Sequence, residues 1–496
     1  MITEKYDLCI IGGGPAGYAA AMRAIDFGKT VLLVEKDKVG GAGLFNGALS
    51  SKSFWECSNR FAATKSDLKE KGIAYDIHFE EARKVVEAAV FERKFQLNVH
   101  LNLLQRATHC KLITLDKGTA TLLGDHRVKV VKKKQEKIIH AEQILVATGS
   151  RPRHLPSVAA DEKIIFTSDG IESLEDFPES LVIVGAGVIG CEYATIFSNF
   201  GKTKVYLIDK ADRILPFEDE DLASIVATNL EKNGVTIHRN ASLARLEIKD
   251  GKVEYELTYT DGRKEILHVE KALLSIGRLP NTGNIGLEEA GVCKDERGYV
   301  KVEDTRTSVP FIYAAGDITA NIALVNVAER EGRHAVVKMF GPPVKPLVYR
   351  NISTIMFLNP EVAAVGMNEQ DARARNKPFR VAKIDYSCIP RAIAMRKTNG
   401  FFKLIVEDDE EMTVLGMRAI GEHASSAIQA VALLIHMNKG IHELGNMMHP
   451  HPSITEGVQE CARMLLGKSI YKSSIFKDKL KCYRWADGVA TPLEDL

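Results

Sequence analysis

The sequence predicts an α/β chain with two dinucleotide-binding units and an α+β domain toward its C-terminal end. Three observations carry this prediction. A strand, glycine turn, helix and strand open the chain. The same pattern returns near residue 181. From about residue 350 the chain changes to alternating apolar runs of antiparallel character.

The first unit is "YDLCIIGGGPAGYAAAMRAIDFGKTVLLVEK". Its opening apolar run, from Tyr6 to Ile11, is what a strand buried on both faces requires. Gly12, Gly14 and Gly17 have the GxGxxG spacing. The first permits a tight turn, the second lets backbone approach a pyrophosphate, and the third lets the helix pack on the strand. The helix N-terminus then presents its positive end to the phosphates. Glu35 ends the next strand, where a carboxylate can take ribose hydroxyls. The basic run "KVVKKKQEK", Lys129 to Lys137, alternates like a strand and reads as a solvated hairpin edge rather than a nucleic-acid patch.

The second unit is "LVIVGAGVIGCEYATIFSNFGKTKVYLIDK", with Gly185, Gly187 and Gly190 at the turn and Asp209 at the end of the second strand. Two complete units imply two dinucleotides and redox chemistry between them. Apolar strands ending in Gly or Asp follow the same logic in "ILVATGSRP", "ALLSIGRLPNT" and "IYAAGD". The last part reads as strands "YRNISTIMFLNPEVAAVGM" and "GFFKLIVEDDEEMTVLGMRAIG" with a helix over 424–438.

Bulk properties narrow the function. The chain has 496 residues, 45% hydrophobic and 26% charged, with net charge +1, so no polyanion partner is expected. No apolar run reaches the ~18 residues of a membrane span. A first strand near Tyr6 leaves no room for a leader peptide. The eight cysteines form no CxxC and no metal-ligand spacing, so no metal site is expected and a reducing cytoplasm is the simplest compartment.

On these motifs the chain resembles the flavoprotein disulfide reductase family, in texture the dihydrolipoamide dehydrogenases and soluble pyridine nucleotide transhydrogenases. The resemblance covers roughly residues 5–466. It rests on both glycine turns, with Glu35, Glu192 and Asp209; on "ATGSRP" with Gly149; on "GRLPNT" with Gly277 and Arg278; on "AAGD" ending at Asp317; and on "HPSITE" at 451–456. It implies two Rossmann-like domains, FAD on the first and a nicotinamide cofactor on the second; Asp209, able to take the adenosine ribose hydroxyls of NAD and repel a 2′-phosphate, predicts NAD(H) in preference to NADP(H). It also implies a C-terminal dimerisation domain and a homodimer. The boundaries are 1–151 and 280–348 for the FAD-binding domain, 152–279 for the nicotinamide domain, 349–466 for dimerisation and 467–496 for a C-terminal extension. The resemblance places Asp317 near the flavin's ribityl and pyrophosphate groups. It places Lys52 and Glu192 near flavin N5, and His451 with Glu456 in the other subunit's active site. Pro452, favoured in a helix's first turn, puts His451 at a helix entrance with Glu456 one turn inside.

The chain departs from the family at "GGAGLFNGALSSK", residues 40–52. The family's loop runs GGTCLNVGCIPSK, and its two cysteines form the redox disulfide. Gly43 and Ala48 stand at those places. Disulfide exchange needs a thiolate and a sulfur to attack, and neither residue supplies one. Cys57 lies one to two helical turns beyond Lys52 and reads as core. Asn326 stands where lipoamide dehydrogenases usually carry His. The tail after about Gly467 has no counterpart in the family pattern and reads as a surface strap, with a lid or a docking arm for a partner protein as the sharper readings. The expected activity is an FAD-dependent NAD(P)H oxidoreductase without a redox disulfide, serving a small acceptor such as a quinone. A soluble transhydrogenase and a non-catalytic flavin scaffold or electron-input subunit are the alternatives.

Overall fold

In the computed structural model, which describes residues 2–106, 112–133, 135–156 and 158–493, each glycine turn grows out of a buried parallel strand. Strand Ile2–Ile11 starts earlier than Tyr6 and runs parallel to Val31–Glu35 on one side and Gln135–Val146 on the other. Leu8, Cys9 and Ile10 are fully buried, as the continuous apolar run requires. Helix Pro15–Asp26 turns Ala16, Gly17, Ala20, Ala21 and Ala24 inward. This small-residue face admits helix Val325–Phe340 so closely that a Cβ on Gly332 would lie 2.1 Å from Ala16 O.

Strand Ile113–Lys117 pairs with Val31–Glu35, and Ile312–Ala314 pairs with Gln135–Val146, all in parallel. The lysine-rich strand Arg127–Lys132 does form a hairpin with Gln135–Val146, but it is not the sheet edge: Thr119–Leu122 pairs with its other side. The alternation records one buried face, with Val128 and Val130 inward, and not the strand's place in the sheet. Lys134, Cys110 and the acidic end of the tail, residues 494 and 495, lie outside the described residues.

The second glycine turn follows strand Ser180–Val184, flanked in parallel by Lys204–Ile208 and then Thr236–His238. The C-terminal sheet is antiparallel, in the order Ser353–Met356, Val362–Gly366, Val414–Ile420, Phe401–Glu407, Phe379–Asp385, Leu480–Ala486 and Val489–Pro492. The expected 424–438 helix is two pieces, Ala424–Ala427 and Gln429–Met437.

The tail therefore supplies two strands of this sheet instead of a strap. Trp485 stacks on Phe379 with ring centroids 5.1 Å apart, and Arg484 and Arg380 share Asp408 at 2.5 and 2.6 Å. Cys482 sits buried opposite Ala382 in the strand register, which gives a swinging thiol no freedom.

By internal packing the chain divides into residues 1–57, 73–177 and 273–347, and residues 58–72, 178–272 and 348–496. Within the second unit, buried Lys403 on strand Phe401–Glu407 meets Asp219 at 2.8 Å, Asp221 at 2.8 Å and Glu369 at 3.0 Å. Burial alone would raise the Asp221 carboxyl, but Lys403 and Lys383, each 2.8 Å away, hold it far below the usual carboxylate range. Asp219 also caps helix Glu220–Lys232, so one buried lysine ties the nucleotide-binding part of this unit to its antiparallel sheet. Removing one partner of such a buried network costs about 3–5 kcal/mol. No helix among the described residues is long and apolar enough to cross a membrane, and no cluster of metal-ligating side chains occurs among them.

Candidate functional site

The two glycine turns use the same physics. Gly12 has φ +107° and Gly185 has φ +102°, a region that favours glycine. A Cβ on Gly12 would lie 2.3 Å from Ala147 O, and one on Gly17 would lie 1.9 Å from Gly12 O. Gly190 is buried on its helix's inner face. By contrast, a Cβ on Gly14 or Gly187 would meet nothing within 4 Å. These two residues cap helices Pro15–Asp26 and Val188–Phe200 without any side-chain hydrogen bond. Open space in front of uncapped N–H groups is a cradle for a pyrophosphate.

Glu35 and Asp209 do more than end their strands. Glu35 accepts Gly13 N–H and Asp37 N–H, both at 2.7 Å. Asp209 accepts Ala186 N–H at 2.8 Å and Ala211 N–H at 2.9 Å. Each acid thus clamps its own turn, and carboxylate oxygens retain further lone pairs for ribose hydroxyls. Arg213, near Asp209 in sequence, is tied within its own loop: it donates to Glu218 O and Pro216 O at 2.8 Å each.

Three of the remaining motifs meet in the first unit. Strand Ser150–Pro152 pairs antiparallel with Arg278–Pro280. Arg278 donates to Ser150 Oγ at 2.8 Å and to Asp169 at 2.9 Å, and Ser150 Oγ donates to Asp317 at 2.7 Å. Gly149 and Gly277, at φ +68° and +98°, leave open space beside this relay. Sequence reasoning missed Ser150 and Asp169 as members of this relay. It also missed Glu331, buried at 1% exposure, which accepts Gly316 N–H at 2.7 Å and shapes the turn before Asp317. Glu331 lies on an ordinary amphipathic helix, so no local signal marks it.

The loop 40–52 is two helices with a break. Helix Gly41–Leu44 ends at extended Phe45, Asn46 takes φ +51°, and helix Ala48–Glu70 follows. A Cβ on Gly43 would sit 2.6 Å from Pro15 Cγ, so the backbone here is closed around glycine. Ser51 Oγ donates to Gly47 O at 2.6 Å, and Lys52 Nζ lies 3.3 Å from Ser51 Oγ. Cys57 is a buried thiol. In the second unit, Glu192 is 4% exposed and accepts Phe357 N–H at 3.0 Å.

His451 Nδ1 lies 2.8 Å from Glu456 Oε1, and Glu456 Oε2 accepts Ser453 N–H at 2.8 Å. The expected placement of Pro452 in the helix's first turn does not hold. Pro452 lies in the turn before it, and Glu456 is itself the first residue of helix Glu456–Leu465. The pair forms because the turn folds back and Ser453 N–H holds the carboxylate. A bonded Nδ1 leaves Nε2 to carry or release a proton. The His451 side chain is 69% exposed in the single chain. Neighbouring His449 is different: its Nε2 is buried with no hydrogen-bond partner among the described residues, and burial pushes the imidazole toward its neutral form.

Two dinucleotide cradles, a relay joining Arg278, Ser150 and Asp317 in the first unit and an appended antiparallel sheet define a two-nucleotide oxidoreductase. The chain belongs to the pyridine nucleotide-disulphide oxidoreductase family, whose model matches residues 6–332, with the family's dimerisation domain matching 352–462. It is similar to the dihydrolipoyl dehydrogenase of Chlamydia pneumoniae, 34% identical over 92% of this chain and 96% of that one. It is likewise similar to that of Geobacillus stearothermophilus, 33% identical over 93% and 96%. Among solved structures it resembles LpdA from Mycobacterium tuberculosis, at TM-score 0.84, 28% identity and coverage of 93% and 100%. The HOCl-induced flavoprotein disulfide reductase RclA from Escherichia coli matches at TM-score 0.80, 26% identity and coverage of 93% and 100%. The chain is thus a flavoprotein oxidoreductase of dihydrolipoyl dehydrogenase type, of a family that uses FAD and NAD(H), with a domain that supports a homodimer.

Proposed function

We propose that this chain is an FAD-dependent NADH oxidoreductase that works without a redox disulfide and reduces a small quinone-like acceptor. The observation that carries the reading is an asymmetry. Gly43 and Ala48 occupy the positions of the family's exchanging cysteines, while the His451–Glu456 pair remains bonded at 2.8 Å. The net reaction is NADH + H⁺ + quinone → NAD⁺ + hydroquinone, which transfers two electrons and consumes one proton beyond the hydride.

The residues present fit FAD. The open cradle at Gly14, the Glu35 clamp and the Asp317–Ser150–Arg278 relay would hold its pyrophosphate, ribose and ribityl groups. When bound, FAD supplies two-electron transfer between a nicotinamide and a second acceptor. Lys52 and Glu192 are assigned to the reacting end of the flavin, as the family resemblance implies. Asp209 holds the adenosine ribose of NAD and repels a 2′-phosphate. With Arg213 anchored to Glu218 O and Pro216 O, that repulsion is not softened from this side.

His451 provides the proton. Glu456 orients the ring through Nδ1, and Nε2 delivers the proton to an acceptor oxygen in the partner subunit. A hydride returned to a second nicotinamide needs no acid, so retention of this pair favours the quinone reading over transhydrogenation. Anaerobic mixing with NADH separates an enzyme from a flavin scaffold: the enzyme's flavin absorbance bleaches at once, and the scaffold's does not. Challenging the reduced protein with a quinone, a nicotinamide analogue, oxygen and lipoamide then identifies the acceptor. Fast reoxidation by lipoamide would overturn the reading.

A further inference from the structure

The loop that carries Gly43 and Ala48 differs from the family pattern at the two residues between the break and Gly47 as well. Phe45 and Asn46 stand where the family's loop has Asn and Val. Both line a cavity of about 270 Å³ in the first unit, closed by Phe54 from helix Ala48–Glu70 and by Phe79, Arg83 and Val86 from helix Phe79–Arg106. Replacement of both cysteines and gain of an aromatic residue beside a cavity, with the amide moved to position 46, thus occur in one stretch of thirteen residues, 40–52.

The walls specify a ligand class. Phe54 and Phe79 meet edge to face, with centroids 5.8 Å apart at 89°, and Phe79 is braced likewise by Phe177 at 5.0 Å and 88°. Rings held this rigidly suit a flat aromatic guest. Polar groups are few. Arg83 Nε is buried with no hydrogen-bond partner among the described residues; its ion-pair partner Glu87 Oε1 lies at 3.5 Å, beyond good hydrogen-bond geometry. A guest carbonyl oxygen would satisfy that N–H, and the Asn46 side-chain amide offers a second donor. Glu87 and Glu172 at the lining disfavour an anionic guest, and the Asp169 carboxylate is already held by Arg278. The volume lies just below the ~300–1,000 Å³ of sites for drug-sized ligands, so a dinucleotide does not fit and two fused rings do.

We propose that this cavity binds the acceptor: a neutral, planar, two-ring quinone, stacked among Phe45, Phe54 and Phe79 with one carbonyl on Arg83 Nε–H. The assignment of the guest as acceptor rests on the proposed function; the binding site stands on the cavity itself. The chemistry is that of the net reaction above, with the quinone taking two electrons and two protons to become the hydroquinone.

The test uses the full-length flavin-loaded protein and 2-methyl-1,4-naphthoquinone as probe. Equilibrium dialysis of the oxidised protein measures binding directly, and turnover with NADH measures the apparent KM for the quinone. Phe45→Asn restores the family residue in a loop, and Arg83→Gln removes the guanidinium and its Nε–H. Flavin content and melting temperature report whether each variant is folded. Both are expected to weaken binding at least tenfold, about 1.4 kcal/mol, and to raise KM in parallel. Unchanged binding in both folded variants, or no binding by the wild type, overturns the site, while wild-type quinone turnover would leave the proposed function standing. Variant-sensitive binding without quinone turnover would support the site and refute the function.

Discussion

Residues 40–52 and residues 449–456 belong to one catalytic unit in the resembling family, yet here they have diverged in opposite senses. The first stretch retains its glycine frame but has Gly43 and Ala48 where the family's loop has cysteine, and a Cβ on Gly43 would lie 2.6 Å from Pro15 Cγ. The second stretch keeps an exposed imidazole bonded to a carboxylate that is itself held by Ser453 N–H. If the proposed function holds, the difference means that the electron relay and the proton donor are separable parts. On the proposed function, an acceptor that meets the flavin directly makes the first dispensable and still needs the second.

The strongest way to break this comparison is His451→Ala. General acid catalysis contributes typically about 10²–10⁴-fold. Reoxidation of the NADH-reduced protein by a quinone should slow by a factor in that range, and reoxidation by ferricyanide, which takes electrons only, should slow far less. Stopped-flow traces of the two reactions compare them, and equal slowing would make the pair structural.

Asp209→Ala sharpens the comparison by touching neither stretch. It removes a carboxylate that accepts two turn N–H groups. Hydrogen bonds to charged groups are worth about 1.5–3 kcal/mol, roughly 10- to 100-fold. kcat/KM for NADH should fall by that order and the NADH-to-NADPH ratio should drop. A wild type that uses NADPH as well as NADH would overturn the specificity assignment.

Glu456→Gln probes the second stretch more gently. The amide oxygen still accepts from His451 Nδ1, but the negative charge is gone, and the quinone step should slow by about tenfold, a hydrogen-bond-sized effect of about 1.4 kcal/mol. A quinone step as fast as wild type would show that Glu456 only holds the turn through Ser453 N–H.

Gly43→Cys with Ala48→Cys has the smallest expected effect on turnover. The Cβ on residue 43 overpacks against Pro15, which typically costs about 1–3 kcal/mol of stability. The double variant should melt lower than wild type and gain no lipoamide activity. Robust lipoamide turnover would show that the loop is still the family's, lacking only sulfur.

Much of this was legible in the chain itself. The glycine turns, Glu35 and Asp209 were readable because a tight turn against a buried strand admits only certain residues at certain positions. His451 and Glu456 were readable because five residues separate them in one turn, although the helix begins at Glu456 and not at Pro452. The missed features are non-local. Lys403 meets Asp219 across 184 residues, and Arg278 meets Asp169 across 109. No periodicity encodes such a pairing. The tail was misread for a related reason: an added strand such as Leu480–Ala486 is recognised by the strand it pairs with, Phe379–Asp385, and not by its own pattern. The lysine strand erred the same way, since alternation reports a buried face and is silent about sheet order.

The central claim, that no sulfur stands between the flavin and its acceptor, is tested most directly by an anaerobic reductive titration of the FAD-loaded protein. Cys57, the cysteine nearest the loop in sequence, is buried in helix Ala48–Glu70. The account predicts two electrons consumed per FAD, with no long-wavelength thiolate–flavin charge-transfer band at any point. Four electrons per FAD, with that band appearing midway, would contradict it.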